Sequence, residues 1–150
     1  MLTEGSETPT FVLTNQNDES VDLATFRGKS LLVYFYPKAN TPGCTQQTCL
    51  LEEIRGQIGD TVILGISPDA PKAQRNFATK YDIGFDLLSD PDHAVAEAFG
   101  VWKEKKNYGK TYMGIERSAF LVGPNGRIRH AWYKISPKDT PLQLLAALAA

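Results

Sequence analysis

Leu31-Leu32-Val33-Tyr34-Phe35-Tyr36 runs straight into Pro37-Lys38-Ala39-Asn40-Thr41-Pro42-Gly43-Cys44-Thr45-Gln46-Gln47-Thr48-Cys49. The first part is an unbroken apolar and aromatic run of strand length, the pattern of a central strand covered on both faces. Pro37 stops it. Thr41 then stands where a helix N-cap is expected, with Pro42 at the first helical position, where its missing N–H costs nothing. Leu51, Ile54 and Ile58 recur at helical spacing, and Gly59 closes the segment. Both cysteines of the chain lie at this strand-to-helix junction. Open α/β sheets place their sites there, outside the carboxyl ends of the strands.

Working outward, residues 9–23 alternate as a hairpin, with Phe11 and Leu13 on one face, Val21 and Leu23 on the returning strand, and Asn15 to Glu19 as the turn. Val62-Ile63-Leu64-Gly65-Ile66 reads as a second buried strand. Residues 71–81 form a helix with Phe77 and Tyr81 inward, and Phe85-Asp86-Leu87-Leu88 a short strand. Pro91 opens a helix to about Phe99. Residues 100–117 have no clear period and read as a long ordered loop, a length that usually carries function. Ala119 to Val122 and Ile128 to Tyr133 flank an Asn-Gly turn signal at Asn125-Gly126. Residues 138–148 make a last amphipathic helix using Leu142, Leu145 and Leu148. The alternation implies one three-layer α/β/α domain over residues 1–150, with a mixed central sheet and an N-terminal β-hairpin.

Composition excludes several function classes. Apolar residues make up 42% and charged residues 22%, as in ordinary globular proteins. A net charge of −1 leaves no electrostatic footprint for nucleic acid or an anionic membrane. No signal peptide is legible at the start, and no apolar run approaches the ~20 residues of a membrane span. The expected location is cytoplasmic, where two cysteines are reduced, catalytic or buried rather than a structural staple. A 44–49 bridge would in any case close too small a loop to stabilise the fold much. His93 and His130 have no ligand-like spacing to the cysteines, so no metal is expected.

The chemistry then turns on Cys44. A thiolate is the nucleophile, whereas an ordinary cysteine near pKa ~8.5 is mostly protonated at neutral pH. Position in the first turn of a helix favours the anion, but by only ~0.3–1 kcal/mol, so a fixed cation is needed too. The alternative is that Cys44 simply packs, as buried cysteines do. Cys49 adds a mechanical constraint. Five residues along a helix separate Cα atoms by ~8–9 Å, beyond the ~7 Å that a disulfide tolerates. A bridge therefore requires the first turns to unwind.

Pro37-x-x-x-Thr41-x-x-Cys44 matches the active-site pattern of peroxiredoxins. The stretch from Tyr34 to Cys49 resembles the bacterioferritin comigratory protein (peroxiredoxin Q) subfamily. Leu87-Leu88-Ser89-Asp90, Phe99-Gly100-Val101-Trp102, Tyr108-Gly109-Lys110 and Gly114-Ile115-Glu116-Arg117-Ser118 extend the likeness over nearly the whole chain. The resemblance implies a thioredoxin-like fold and a thiol peroxidase with no cofactor. Cys44 would be oxidised to sulfenic acid by hydrogen peroxide or an organic hydroperoxide, and Cys49 would resolve it within the same subunit. A thioredoxin or similar dithiol would reduce the bridge. Thr41 would hydrogen-bond the peroxide, Pro37 would shield the sulfur, and Arg117 would supply the missing cation. The second cysteine favours the monomeric variant. Ala119 stands where many members have Thr, and the tail lacks a histidine often seen near Pro137.

Two other readings fit less well. A thioredoxin-type oxidoreductase wants Cys-x-x-Cys, but four residues separate the cysteines here. A binding module would not need Pro37, Thr41, Cys44 and Arg117 together. Trp102, Tyr108 and Tyr112 either wall the site or pack the loop. Lys103-Glu104-Lys105-Lys106 reads as a solvated charge run. Asp69 and Asp90 follow strand ends without paired-carboxylate geometry and receive no role.

Overall fold

A computed structural model describes residues 1–150. The elements are β1 (Val12–Thr14), β2 (Ser20–Asp22), β3 (Leu31–Phe35), α1 (Pro42–Glu53), β4 (Val62–Ser67), α2 (Pro71–Tyr81) and β5 (Asp86–Ser89). They continue with α3 (Ala94–Ala98), β6 (Trp102–Asn107), β7 (Lys110–Ile115), β8 (Ser118–Val122), β9 (Ile128–Trp132) and α4 (Asp139–Ala149).

Seven strands form one mixed sheet in the order β2-β1-β5-β4-β3-β8-β9. β3, β4 and β5 run parallel, and the flanking pairs are antiparallel. All five residues of β3 are buried, which is why the strand carries no polar alternation. Val33 and Phe35 point to one core with Phe99 and Phe120. Leu32, Tyr34 and Tyr36 point to the other with Leu51 of α1, Phe77 of α2 and Leu144 of α4. The three layers are unequal, because the first face is covered by the short α3, Phe11, Leu23 and Ile115 rather than by long helices.

Three expectations need correction. Residues 100–117 are not a loop: β6 and β7 pair in register from Trp102↔Ile115 to Asn107↔Lys110 as a separate two-stranded ribbon. Most of their side chains meet solvent on both faces, so no alternation marks them. Their turn is Tyr108-Gly109, both left-handed at φ 51 and 76, which is type I′ geometry with tyrosine in place of the usual Asn or Asp. The helix expected from Pro91 starts at Ala94. His93 at φ 52 breaks the helical path, and the buried Asp90 carboxylate accepts from Val95 N–H and Ala96 N–H instead. Burial also pushes the Asp90 carboxyl above the usual range. Finally, α4 buries Thr140, Leu144 and Ala147, whereas Leu142 is 63% exposed.

Candidate active site

β3 delivers the chain to the site. Tyr36 N–H still bonds Ile66 O (3.0 Å), after which Pro37 ends the ladder. Asn40 takes a left-handed turn (φ 62) and Thr41 is extended before Pro42 enters α1. Thr41 occupies the N-cap position, but its hydroxyl does not cap. It donates to Lys38 O (2.7 Å), and only its backbone carbonyl receives a helical bond, from Thr45 N–H (2.8 Å). This corrects the expectation of a capping side chain and leaves the hydroxyl's lone pairs open to a further donor.

Cys44 lies in the first turn of α1 with 1% exposure. Its cation comes from the sheet. β3 and β8 pair antiparallel with Phe35 opposite Ser118, so the residue before Ser118 emerges beside the chain leaving β3. That residue is Arg117. Its Nη2 donates to Cys44 Sγ at 3.4 Å, and its Nη1 donates to Gln47 Oε1 at 2.8 Å. Gly43 leaves room for this approach, since a Cβ there would stand 3.1 Å from Arg117 Nη2 and 3.7 Å from Pro137.

Gln47 is fully buried, and its Nε2 donates to Thr140 Oγ1 (2.9 Å), whose hydroxyl donates to Ser136 O (2.9 Å). Every polar atom of the Gln47 amide is thereby used, as burial demands. Behind Cys44, Tyr34 OH and Thr48 Oγ1 share a hydrogen bond of 2.8 Å. Burial above all holds the Tyr34 phenol protonated, with a contribution from the Cys44 charge. Lys105 of β6 is half-buried, and burial followed by the Arg117 charge pushes its ammonium below the ordinary lysine range.

Cys49 is half-buried on the same helix, and both cysteines are free. Burial, then the carboxylates of Glu53 and Glu52, raise its thiol above the ordinary range. The fold therefore brings Cys44 and Arg117 together in one site, sets Thr41 at the start of the same helix, and keeps Cys49 apart by the rise of α1.

Sequence reasoning did not identify Gln47, Gly43, Thr140 or Lys105. The one available signal was Gln47, three positions after Cys44 and so on the same helix face, where a buried amide needs partners. Trp102 stacks on His93, with centroids 3.9 Å apart, while Tyr108 and Tyr112 are exposed on the ribbon. His130 stacks on Trp132.

The model of the AhpC/TSA family matches residues 5–131. Peroxiredoxin Bcp of Escherichia coli is 47% identical over 133 residues, covering 87% of this chain and 85% of its own. The bacterioferritin comigratory protein of Xanthomonas campestris, studied for its alkyl peroxide reduction activity, superposes with a TM-score of 0.88 at 38% identity, covering 93% of this chain and 90% of its own. A PrxQ mutant of Xylella fastidiosa superposes with a TM-score of 0.93 at 31% identity, covering 99% and 96%.

Proposed function

The chain belongs to the AhpC/TSA family and is a thiol peroxidase of the peroxiredoxin kind, and from that premise we propose how its residues divide the work. Cys44 is the peroxidatic cysteine. Its thiolate attacks the terminal oxygen of ROOH, the O–O bond breaks, and the alkoxide leaves as ROH once protonated, with Cys44 left as sulfenic acid. Arg117, with its Nη2 3.4 Å from the sulfur, stabilises the thiolate and the charge moving onto the peroxide oxygens. That contact is the observation that carries the reading.

Thr41 accepts a hydrogen bond from the peroxide through the lone pairs its Lys38 bond leaves open. Pro37 shields the sulfur from water. Cys49 then displaces hydroxide from the sulfenic acid, giving the 44–49 disulfide and one water after α1 unwinds locally. A thioredoxin-type dithiol reduces that bridge by exchange, becoming a disulfide itself. The activity described for the Xanthomonas relative supports organic hydroperoxides as substrates beside hydrogen peroxide.

The reading includes one functional domain over residues 1–150, acting as a monomer in the cytoplasm, where a reducing poise returns both thiols. No helix is long and apolar enough to cross a membrane. Intact mass after one equivalent of hydrogen peroxide tests the scheme. Wild type loses about 2 mass units, and Cys49→Ser instead gains oxygen. An unchanged wild-type mass sinks it.

A further inference from the structure

We propose that Asp69 is a positioning residue for peroxide reduction, fixing the Pro37–Thr41 segment beside Cys44 through the Ala39 N–H. The inference rests on the peroxidase reading above and assigns work to a residue that the scheme leaves idle.

A single oxygen, Asp69 Oδ2, accepts two hydrogen bonds. One comes from Ala39 N–H at 2.7 Å, thirty residues away, and the other from Ser67 Oγ at 2.6 Å. Ser67 ends β4 and is buried, and its hydroxyl accepts from Gln74 Nε2 at 2.9 Å. The same Nε2 donates to Leu88 O (2.8 Å), and Gln74 Oε1 accepts from Tyr36 OH (2.5 Å). Gln74 and Tyr36 are both fully buried.

The direction of every bond in this chain is forced. Burial holds the Tyr36 phenol protonated, so it donates, and a Gln oxygen can only accept. The Gln74 amide must then present its nitrogen to Ser67, which leaves the single Ser67 proton for Asp69. Asp69 Oδ2 is the terminal acceptor, and the last donor to reach it is the backbone of the segment that follows β3. The chain thus leaves the sheet at Tyr36, crosses α2, and returns to the same strand's own exit three residues later.

A second tether reaches the next residue. Asn40, held at φ 62, accepts at Oδ1 from Tyr81 OH (3.0 Å) at the far end of α2. Thr41 closes the segment on itself through Lys38 O. Ala39 and Asn40 are therefore pinned to the α2 side of the molecule, while Cys44 takes its cation from the β8 side. Pro37 and Thr41 are aimed by one set of contacts and the thiolate is held by another. A reacting geometry displaced by about 1 Å costs on the order of 100-fold in rate, so the two sets separate experimentally.

The test uses Asp69→Asn, Asp69→Glu and Asp69→Ala in a Cys49→Ser background, where only Cys44 reacts. Asn keeps an oxygen able to accept both bonds but removes the charge. Glu keeps the charge but carries its oxygen about 1.5 Å further out. The rate of Cys44 oxidation by hydrogen peroxide should stay within about threefold for Asn and fall roughly 10- to 100-fold for Glu and Ala. Alkylation of Cys44 by iodoacetamide, which does not depend on peroxide alignment, should stay within about twofold in all of them. If Asp69→Ala does not fold, the Asn and Glu pair alone decides. Equal peroxide rates across the series, Asn as slow as Glu, or a parallel fall in alkylation would each overturn the proposal. A Cys49→Ser parent that peroxide leaves unoxidised removes the peroxidase reading and this proposal with it. An active parent with a flat series removes only the role of Asp69.

Discussion

Arg117 Nη2 and Cys44 Sγ are 3.4 Å apart, although 73 positions separate them in the chain. The guanidinium fork spans the sulfur and Gln47 Oε1 at once. A lysine at 117 keeps a charge but cannot hold both. Arg117→Lys should lower the rate of Cys44 oxidation about tenfold, and Arg117→Met about 100- to 1,000-fold. Stopped-flow oxidation by hydrogen peroxide measures both, and a Met variant within about threefold of wild type refutes the assignment.

Cys49 should be a sluggish thiol in the folded, reduced protein. Burial first, and then Glu53 and Glu52, disfavour its charged form, so the thiol persists to higher pH than an ordinary cysteine. In a Cys44→Ser background its alkylation should rise late as pH increases. Glu53→Gln should move that profile down only part of the way, because burial, the larger cause, remains. A profile that ignores the Glu53 change counts against the electrostatic share.

Leu144 and Leu142 offer a packing contrast within one helix. Leu144 is fully buried against α1 and the sheet, whereas Leu142 is mostly exposed. Leu144→Ala should cost about 2–5 kcal/mol in urea unfolding. Leu142→Ala should stay within about 0.5 kcal/mol. Equal losses would mean that α4 docks through another face.

Helix geometry separates the Cα atoms of residues 44 and 49 by ~8–9 Å while α1 is intact. Peroxide-treated wild type should therefore exchange amide hydrogens faster across residues 43–50 than the reduced form. Peroxide-treated Cys49→Ser, which cannot close the bridge, should not. Protection that survives oxidation in wild type would contradict the need to unwind.

The sequence was most readable where burial leaves a pattern. β3 is apolar because both its faces are covered, and Pro71 marks the first residue of α2. The β6–β7 ribbon was illegible for the opposite reason, since two wet faces impose no alternation and its turn lacks the Asn-Gly signature. In α4 the stretch Leu142 to Ala149 is apolar nearly all round, so its period selects no face. The Gln47–Thr140 bond turns Thr140 inward, and Leu144 and Ala147 follow at helical spacing. Arg117 carried no local signal at all. Family likeness pointed to it, while its physical cause is the pairing of Phe35 with Ser118, a long-range register that no window of sequence contains. Asp69 was passed over because a search for two carboxylates is blind to one that accepts from a hydroxyl and a backbone amide.

Gln47 stands between the two cysteines in the chain, and its amide joins Arg117 to α4. A bridge from 44 to 49 encloses it in the very interval that must open. On the proposed scheme, closing that bridge would also unlatch the cation that armed the thiolate, because the Gln47 contacts lie inside the turn that opens. Re-arming would then require the helix to rewind, which would make the return of Gln47 to Arg117 an interlock between reduction and readiness.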